Sequence, residues 1–354
     1  MISNKIPAVF IIMTLLLCLL SGCSRSSEET QIVLMSEFAD NEIFRIDNLG
    51  CFVPEANVYM YTSEDQYTDA FGEEIWEKDL GGAKLSEELK DITLARLAQI
   101  KAMNLLASER GVWLDENDTA SVEEAAERFL SSMDSATKEA LGVDRESVER
   151  MYSEYALADK VYQNITSDVN PEISDDEARS ITVKQILIKT CMTDSKGNRI
   201  EFSQVDKLKA HKKAREIRSM AVDDGVDFDT LAERYNEGEE SQYTFGKGTM
   251  PEAFEEAAFD LATDEVSKLV ETEYGYHVIK CISTFDREET EANKARIVRE
   301  RKNEAFNKVY DAFIGSIHSN LNEELWDSLS FERSVAIDTT NFFDIYNDIF
   351  ELKG

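Results

Sequence analysis

The stretch Tyr243 to Ser283, YTFGKGTMPEAFEEAAFDLATDEVSKLVETEYGYHVIKCIS, decides the fold. A Gly-punctuated loop, Tyr243 to Gly248, leads into a short helix from Pro251 to Phe259. Gly246 and Gly248 suit positions of positive φ or of close backbone approach. Pro251 suits the first helical turn, where its missing N–H is not needed. Met250 and Phe254 stand four apart, so a helix beginning here sets them side by side. A turn at Ala262 to Glu265 follows. The run closes on Tyr274 to Lys280, whose Tyr276, Val278 and Ile279 have the β-branched and aromatic content of a strand.

The stretch resembles the parvulin family of peptidyl-prolyl cis-trans isomerases. Four submotifs carry the resemblance in order: Phe245-Gly246-Lys247-Gly248-Thr249-Met250, Phe254-Glu255-Glu256-Ala257-Ala258-Phe259, Asp264-Glu265-Val266-Ser267 and Gly275-Tyr276-His277-Val278-Ile279. Upstream, Asp227-Phe228-Asp229-Thr230-Leu231-Ala232-Glu233-Arg234-Tyr235 matches a further helix of the family. Ile181 to Lys189 alternates and is β-branched, as a strand is. Cys191 to Glu201 reads as a polar hairpin or loop, and Val205 to Ala221 as a helix. The order β-α-α-β-α-β-β over residues 181–284 is that of a parvulin-like domain. The resemblance implies an α+β fold with an antiparallel four-stranded sheet, in which Cys191 and Cys281 fall at opposite ends of the pair formed by the first and last strands. No bridge between them is expected.

The flanks are mainly helical. Short strands are expected at Ile32 to Met35 and Val58 to Tyr61, and a helix at Tyr67 to Leu80, broken by Gly81-Gly82. Leu89, Ile92, Leu97, Ile100, Leu105 and Leu106 recur at helical spacing within Leu85 to Arg110, and Gly111 stops that helix. Ser121 with Glu124 resembles a capping box opening a helix from Val122 to Met133. Asp144 to Asn164 is a further helix, and Asn170-Pro171 breaks the chain. Ile173 to Ala178 resembles the short helix that precedes parvulin domains in exported foldases. After Phe285, Glu289 to Asn320 reads as a long charged helix with Ile297, Ala305, Val309, Phe313 and Ile317 as its buried stripe. By domain order, residues 31–170 correspond to the chaperone module of PrsA-like lipoproteins and SurA-like chaperones. In such proteins the segment after the isomerase, here 287–354, folds back on the N-terminal helices.

The N-terminus reads as an export signal over residues 1–22: Lys5 is its charged region and Ile6 to Leu20 its apolar one, short for a membrane span. Leu20-Ser21-Gly22-Cys23 resembles the lipobox of bacterial lipoproteins, which implies lipidation of Cys23, with residues 23–30 as a polar tether. A diacylglyceryl group brings more than one chain, which stable anchoring requires. The expected location is therefore the outer face of the cell membrane. The 354 residues carry 71 acidic and 38 basic side chains, a net charge of −33 that argues against nucleic-acid binding. Three histidines with no Cys pair at ligand spacing argue against a zinc site, and neither a phosphate loop nor a G-x-S-x-G motif is present. No cofactor or metal is expected.

Isomerising an X-Pro bond breaks no covalent bond, but the barrier is about 18–20 kcal/mol and the uncatalysed change takes tens to hundreds of seconds. An enzyme needs an apolar cup for the ring and polar groups that favour the twisted amide. By resemblance Met250 and Phe254 take two proline-pocket positions, with Phe245 nearby and the third position near Gln242, where the family has Leu or Met. His277 takes the place of the histidine on the last strand. The family's first-strand histidine is replaced by Gln185, which hydrogen-bonds but does not titrate. Glu237 or Glu239 could stand for the family's acid, the spacing choosing neither; the candidate catalytic set is His277, Gln185 and Glu237. The implied partners are unfolded or partly folded exported polypeptides and a membrane, with a homodimer left open. The implied activity is a peptidyl-prolyl isomerase that assists folding, the alternative a non-catalytic holdase with an eroded isomerase domain.

Overall fold

The computed structural model describes residues 38–77, 84–194, 198–331, 337 and 339–350. The export signal, Cys23, the tether, the strand expected at Ile32 to Met35 and the Gly81-Gly82 break lie outside them. The chain divides into two units, one of residues up to Ser167 together with Phe306 onward, the other Asp168–Ala305.

The first unit begins with a hairpin, β1 (Glu42–Ile46) and β2 (Leu49–Phe52). It runs directly into α1 (Val53–Phe71). The strand expected at Val58 to Tyr61 is thus helix. An unbroken apolar run fits a buried helix as well as a strand, and here the helix start is fixed by Pro54 in the first turn and by Glu55, which accepts the Phe52 N–H at 3.2 Å. Gly72, at φ 79°, ends α1, so the helix expected from Tyr67 is the tail of α1 followed by a 3₁₀ turn at Glu73–Glu77. Next come α2 (Leu85–Arg110), stopped by a left-handed Gly111, and α3 (Glu116–Ser131). The latter starts before the expected Val122 because Asp115 and Asp118 form the capping box, leaving Ser121 buried inside the helix. Two more helices follow, α4 (Ser135–Leu141) and α5 (Arg145–Thr166), capped by Asp134 and Asp144.

The second unit opens with a single turn, α6 (Asp175–Ala178), then β3 (Ser180–Lys189) and a small hairpin of β4 (Cys191–Thr193) and β5 (Arg199–Glu201). After it come α7 (Gln204–Val222), α8 (Phe228–Tyr235), β6 (Gln242–Gly246), α9 (Glu252–Phe259), β7 (Val270–Thr272) and β8 (Gly275–Ser283). Helix α10 (Arg287–Ile314) begins in this unit and ends among residues of the first. It stops six residues before the expected Asn320; Phe306, 2 % exposed, is buried where Ala305 was expected to be. The chain then gives β9 (Ser319–Leu321), α11 (Glu323–Ser328) and α12 (Phe342–Phe350).

In the first unit β9 adds to the hairpin in the order β2-β1-β9. Phe342 and Phe343 of α12 are buried with Tyr59, Phe129 and Tyr152 in one core with Phe306 and Phe313. Among the described residues no helix is long and apolar enough to cross a membrane.

The second unit is built on an antiparallel sheet in the order β6-β3-β8-β7. Strand β3 is central and buried on both faces, so its residues sort by parity. Ile186 and Ile188, with Val278 of β8, pack under α7 and α8. Ile181 and Val183, with Ile279 and Cys281, pack under α9 with Phe245, Phe254 and Ala258. Gly246 is a close approach, since a Cβ there would collide with the Asn293 amide, whereas Gly248 takes φ 84°. Cys281 lies opposite Val183, and Cys191 follows Lys189, which pairs with Gly275 at the other end.

Candidate functional site

Parity places the site. Gln185 and Leu187 continue the α9 face of β3 beyond the helix's cover, and His277 of β8 lies opposite Leu187 on that face. A groove of about 370 Å³ opens there. Met250, Pro251 and Phe254 form one wall, Leu187, Gln185 and His277 the floor, and Tyr243 and Glu239 the side towards β6. Met192 of β4 and Tyr274 of the β7–β8 turn close the far end. Phe254 is buried to its edge, its ring meeting the His277 imidazole edge-to-face at 5.2 Å between centroids.

Beneath the apolar walls runs a chain of hydrogen bonds. His277 Nδ1 lies 2.8 Å from Gln185 Oε1, and His277 Nε2 lies 2.7 Å from Thr272 Oγ1. Gln185 Nε2 donates to the Tyr243 hydroxyl at 3.2 Å, and that hydroxyl donates to the Glu240 carbonyl at 3.2 Å. With Oε1 as acceptor, Nδ1 carries the imidazole proton and Nε2 accepts from Thr272. The Thr272 hydroxyl in turn accepts the Tyr274 N–H at 3.2 Å. His277 is 5 % exposed, and burial pushes its pKa down to about 4. The imidazole is therefore neutral at physiological pH, a polar group without a charge.

The loop Asn236 to Glu240 holds one end of the chain. Asn236 Oδ1 accepts the Leu187 N–H at 2.9 Å, and its Nδ2 donates to the Glu240 carbonyl at 3.1 Å. The loop is thereby tied to β3 and its last carbonyl aimed at Tyr243.

His277, Gln185, Met250 and Phe254 come together on the groove. Phe245 is 5 % exposed and stands behind them, its ring 6.0 Å from that of Phe254, so it supports the wall without lining it. Two expected residues are placed elsewhere. Glu237 turns towards α7, where Oε1 accepts from Lys213 Nζ at 2.7 Å and Oε2 from the Lys189 N–H at 2.8 Å. It closes the end of β3; of the two acids, Glu239 lines the groove. Gln242 pairs with Lys184 on the β6 edge and is exposed on the opposite face from Tyr243 and Phe245, because side chains alternate along a strand. Tyr243 and Thr272 take part without having been singled out from sequence. The alternation that makes Phe245 face α9 would also have put Tyr243, two residues earlier, on the groove side.

Residues 186–283 match the family model described as a PPIC-type PPIASE domain, or rotamase. The foldase protein PrsA of Caldanaerobacter subterraneus subsp. tengcongensis is 27 % identical over 256 residues, which are 69 % of this chain and 74 % of that protein. The foldase protein PrsA of Bacillus subtilis is 32 % identical over 141 residues, 38 % of this chain and 45 % of that one. A crystal structure of the peptidylprolyl isomerase PrsA from Bacillus cereus aligns at 18 % identity with a TM-score of 0.38, covering 81 % of this chain and 92 % of that one. Residues 186–283 are a rotamase domain of the PpiC type, carried by a chain similar to the PrsA foldases.

Proposed function

We propose that this chain is a membrane-anchored peptidyl-prolyl cis-trans isomerase that works on the outer side of the cell membrane and assists the folding of exported polypeptides. The observation that carries the reading is the neutral imidazole of His277 held between Gln185 and Thr272 under a groove walled by Met250 and Phe254. Leu187, Met250 and Phe254 supply the apolar cup for a proline ring. The hydrogen-bonded floor supplies fixed dipoles, which favour an amide that has lost its planarity over one that has kept it. No charged nucleophile is called for, and burial keeps His277 uncharged. The matched rotamase domain supports the activity, and the similarity to foldases supports polypeptide clients. The apolar run ending in Leu20-Ser21-Gly22-Cys23 supports export and the lipid anchor.

Protease-free measurement of proline isomerisation in a short peptide tests the reading. The purified chain should accelerate the change, and the His277→Ala, Met250→Ala double variant should lose most of that acceleration. Equal, uncatalysed rates for both would overturn it. Radiolabelled palmitate should enter the wild type and not Cys23→Ser; label in both would remove the anchor from the proposal.

One observation favours a second reading, a holdase without catalysis: Gln185 stands where the family resemblance calls for a histidine. Under that reading, a fragment lacking 181–284 suppresses aggregation of a denatured client as well as the whole chain, and the whole chain leaves proline isomerisation at its spontaneous rate.

A further inference from the structure

We infer that Tyr243 is a positioning residue, whose hydroxyl selects the tautomer of His277 by fixing which way the Gln185 amide points. The inference rests on the proposed isomerase reading for its functional consequence, but not for its geometry.

The floor of the groove can be written in two hydrogen-bond directions. In one, Gln185 Oε1 accepts from His277 Nδ1–H, and His277 Nε2 accepts from the Thr272 hydroxyl. In the other, the amide is turned over, Gln185 Nε2 donates to His277 Nδ1, and His277 Nε2–H donates to Thr272 Oγ1. A hydroxyl gives or takes, so Thr272 serves both directions and decides neither. An imidazole in place of Gln185 would have no amide ends to exchange. The choice therefore falls to what meets the far end of the Gln185 side chain.

That end meets Tyr243 and the Glu240 carbonyl. The Glu240 oxygen only accepts, and it already receives the Tyr243 hydroxyl at 3.2 Å and Asn236 Nδ2 at 3.1 Å. With its proton committed there, the Tyr243 oxygen has only lone pairs to offer Gln185, so it asks for an amide N–H. Gln185 Nε2 supplies it at 3.2 Å, a shorter contact than the 3.5 Å from Nε2 to the Glu240 oxygen itself. Turning the amide over would set Oε1 against two acceptors. Tyr243 thus passes the one-way demand of a backbone carbonyl along to the imidazole. The outcome is a His277 with Nδ1 protonated and a lone pair on Nε2 towards Thr272. The tautomer fixes the direction of the ring dipole under the groove floor, which is the term a twisted amide would feel.

The experiment uses the full chain with ¹⁵N-labelled histidine; three histidines, His211, His277 and His318, keep the spectrum assignable. In the wild type the His277 ring shifts should report a protonated Nδ1 and an unprotonated Nε2. Tyr243→Phe keeps the ring against the groove and removes only the hydroxyl. It should bring the two tautomers to comparable populations and lower kcat about fivefold, the worth of one neutral hydrogen bond, with KM unchanged within about twofold. Tyr243→Leu serves the same measurement should the phenylalanine variant not fold. A single Nδ1-protonated form in both wild type and variant overturns the inference, whatever the activity does. A wild type protonated on Nε2 overturns it as well. A tautomer shift in a chain that shows no isomerase activity upholds the positioning role and removes only the catalytic reading.

Discussion

Gln185 Oε1 and His277 Nδ1 meet at 2.8 Å although the two residues are not cross-strand partners: Gln185 lies opposite Ile279, and His277 opposite Leu187. The bond is a diagonal one between β3 and β8, within reach of long side chains across an antiparallel pair. It joins the central strand to the strand carrying the candidate catalytic imidazole. Gln185→Leu would fill the same space, leave the Nδ1 proton without its acceptor and take from the Tyr243 hydroxyl its donor. An unsatisfied buried polar group costs about 1–3 kcal/mol. Isomerisation by this variant should fall about tenfold or more in kcat/KM; a loss under about twofold would separate the hydrogen-bond chain from catalysis.

The depressed pKa of His277 sets a pH dependence. Burial lowers it from an ordinary 6.5 to about 4. Between those values the unfolded chain binds a proton that the folded one does not, so stability is complete above about pH 6.5 and declines as pH falls towards 4. At 1.36 kcal/mol per pKa unit the contribution lost is on the order of 3 kcal/mol. Urea unfolding of wild type and His277→Gln between pH 4 and pH 7.5 isolates it: the wild type should lose more stability than the variant on acidification. The isomerase rate should be flat from about pH 6 to 8, because the imidazole does not titrate there; a rate that rises or falls with an apparent pKa near 6.5 would contradict the buried, neutral ring.

The first unit holds a buried ion cluster. Lys101 Nζ lies 2.7 Å from Glu55 Oε2 and 2.6 Å from Glu154 Oε2, with Lys101 and Glu55 each 1 % exposed. Burial pushes the Glu154 carboxyl up to about 7 against the pull of Lys101. Removing the shared cation takes from Glu154 its lysine and leaves Glu55 only Arg150 at 3.5 Å, so Lys101→Met should cost about 3–5 kcal/mol in chemical denaturation. Glu154→Gln should cost less, because Glu55 still neutralises the lysine. A Lys101→Met variant as stable as wild type would show that the cluster contributes nothing net.

The second unit was largely legible because its signals are local. Gly246 and Gly248 stand where a Cβ will not fit or where φ is positive, and alternation along Ile181 to Lys189 gives the central strand. Four of the seven candidate catalytic and substrate-binding residues come together on the groove. The misplaced ones fail for physical reasons. The resemblance puts the third pocket position near Gln242, but the segment is strand, and parity hands the groove to Tyr243. Spacing does not separate Glu237 from Glu239 as the family's acid, and Glu237 is satisfied by Lys213 and a backbone N–H. In the first unit the continuous burial of Val58, Tyr59 and Met60 hid a helix, because a run buried all round has no period to read.

For the tail the resemblance implies a return to the N-terminal helices but names no contact, and its packing yields the last prediction. Phe342 is fully buried; its ring stacks on that of Tyr152 at 4.0 Å between centroids and 10° between planes, and meets Phe129 edge-on at 5.5 Å. The Tyr152 hydroxyl donates to the Phe342 carbonyl at 3.1 Å, so backbone and side chain of one residue are both held by α5. Phe342→Ala therefore removes a large buried ring and leaves a cavity between α3 and α5, at a cost of about 3–5 kcal/mol. Tyr152→Phe keeps the stack and drops one hydrogen bond, at about 1 kcal/mol. If α12 is part of the first unit's core, Phe342→Ala should lower the urea midpoint of that unit and make residues 341–350 exchange amide protons faster, while the His277 tautomer stays as it is. A midpoint unchanged by Phe342→Ala would mean that the unit's core closes without its C-terminal helix.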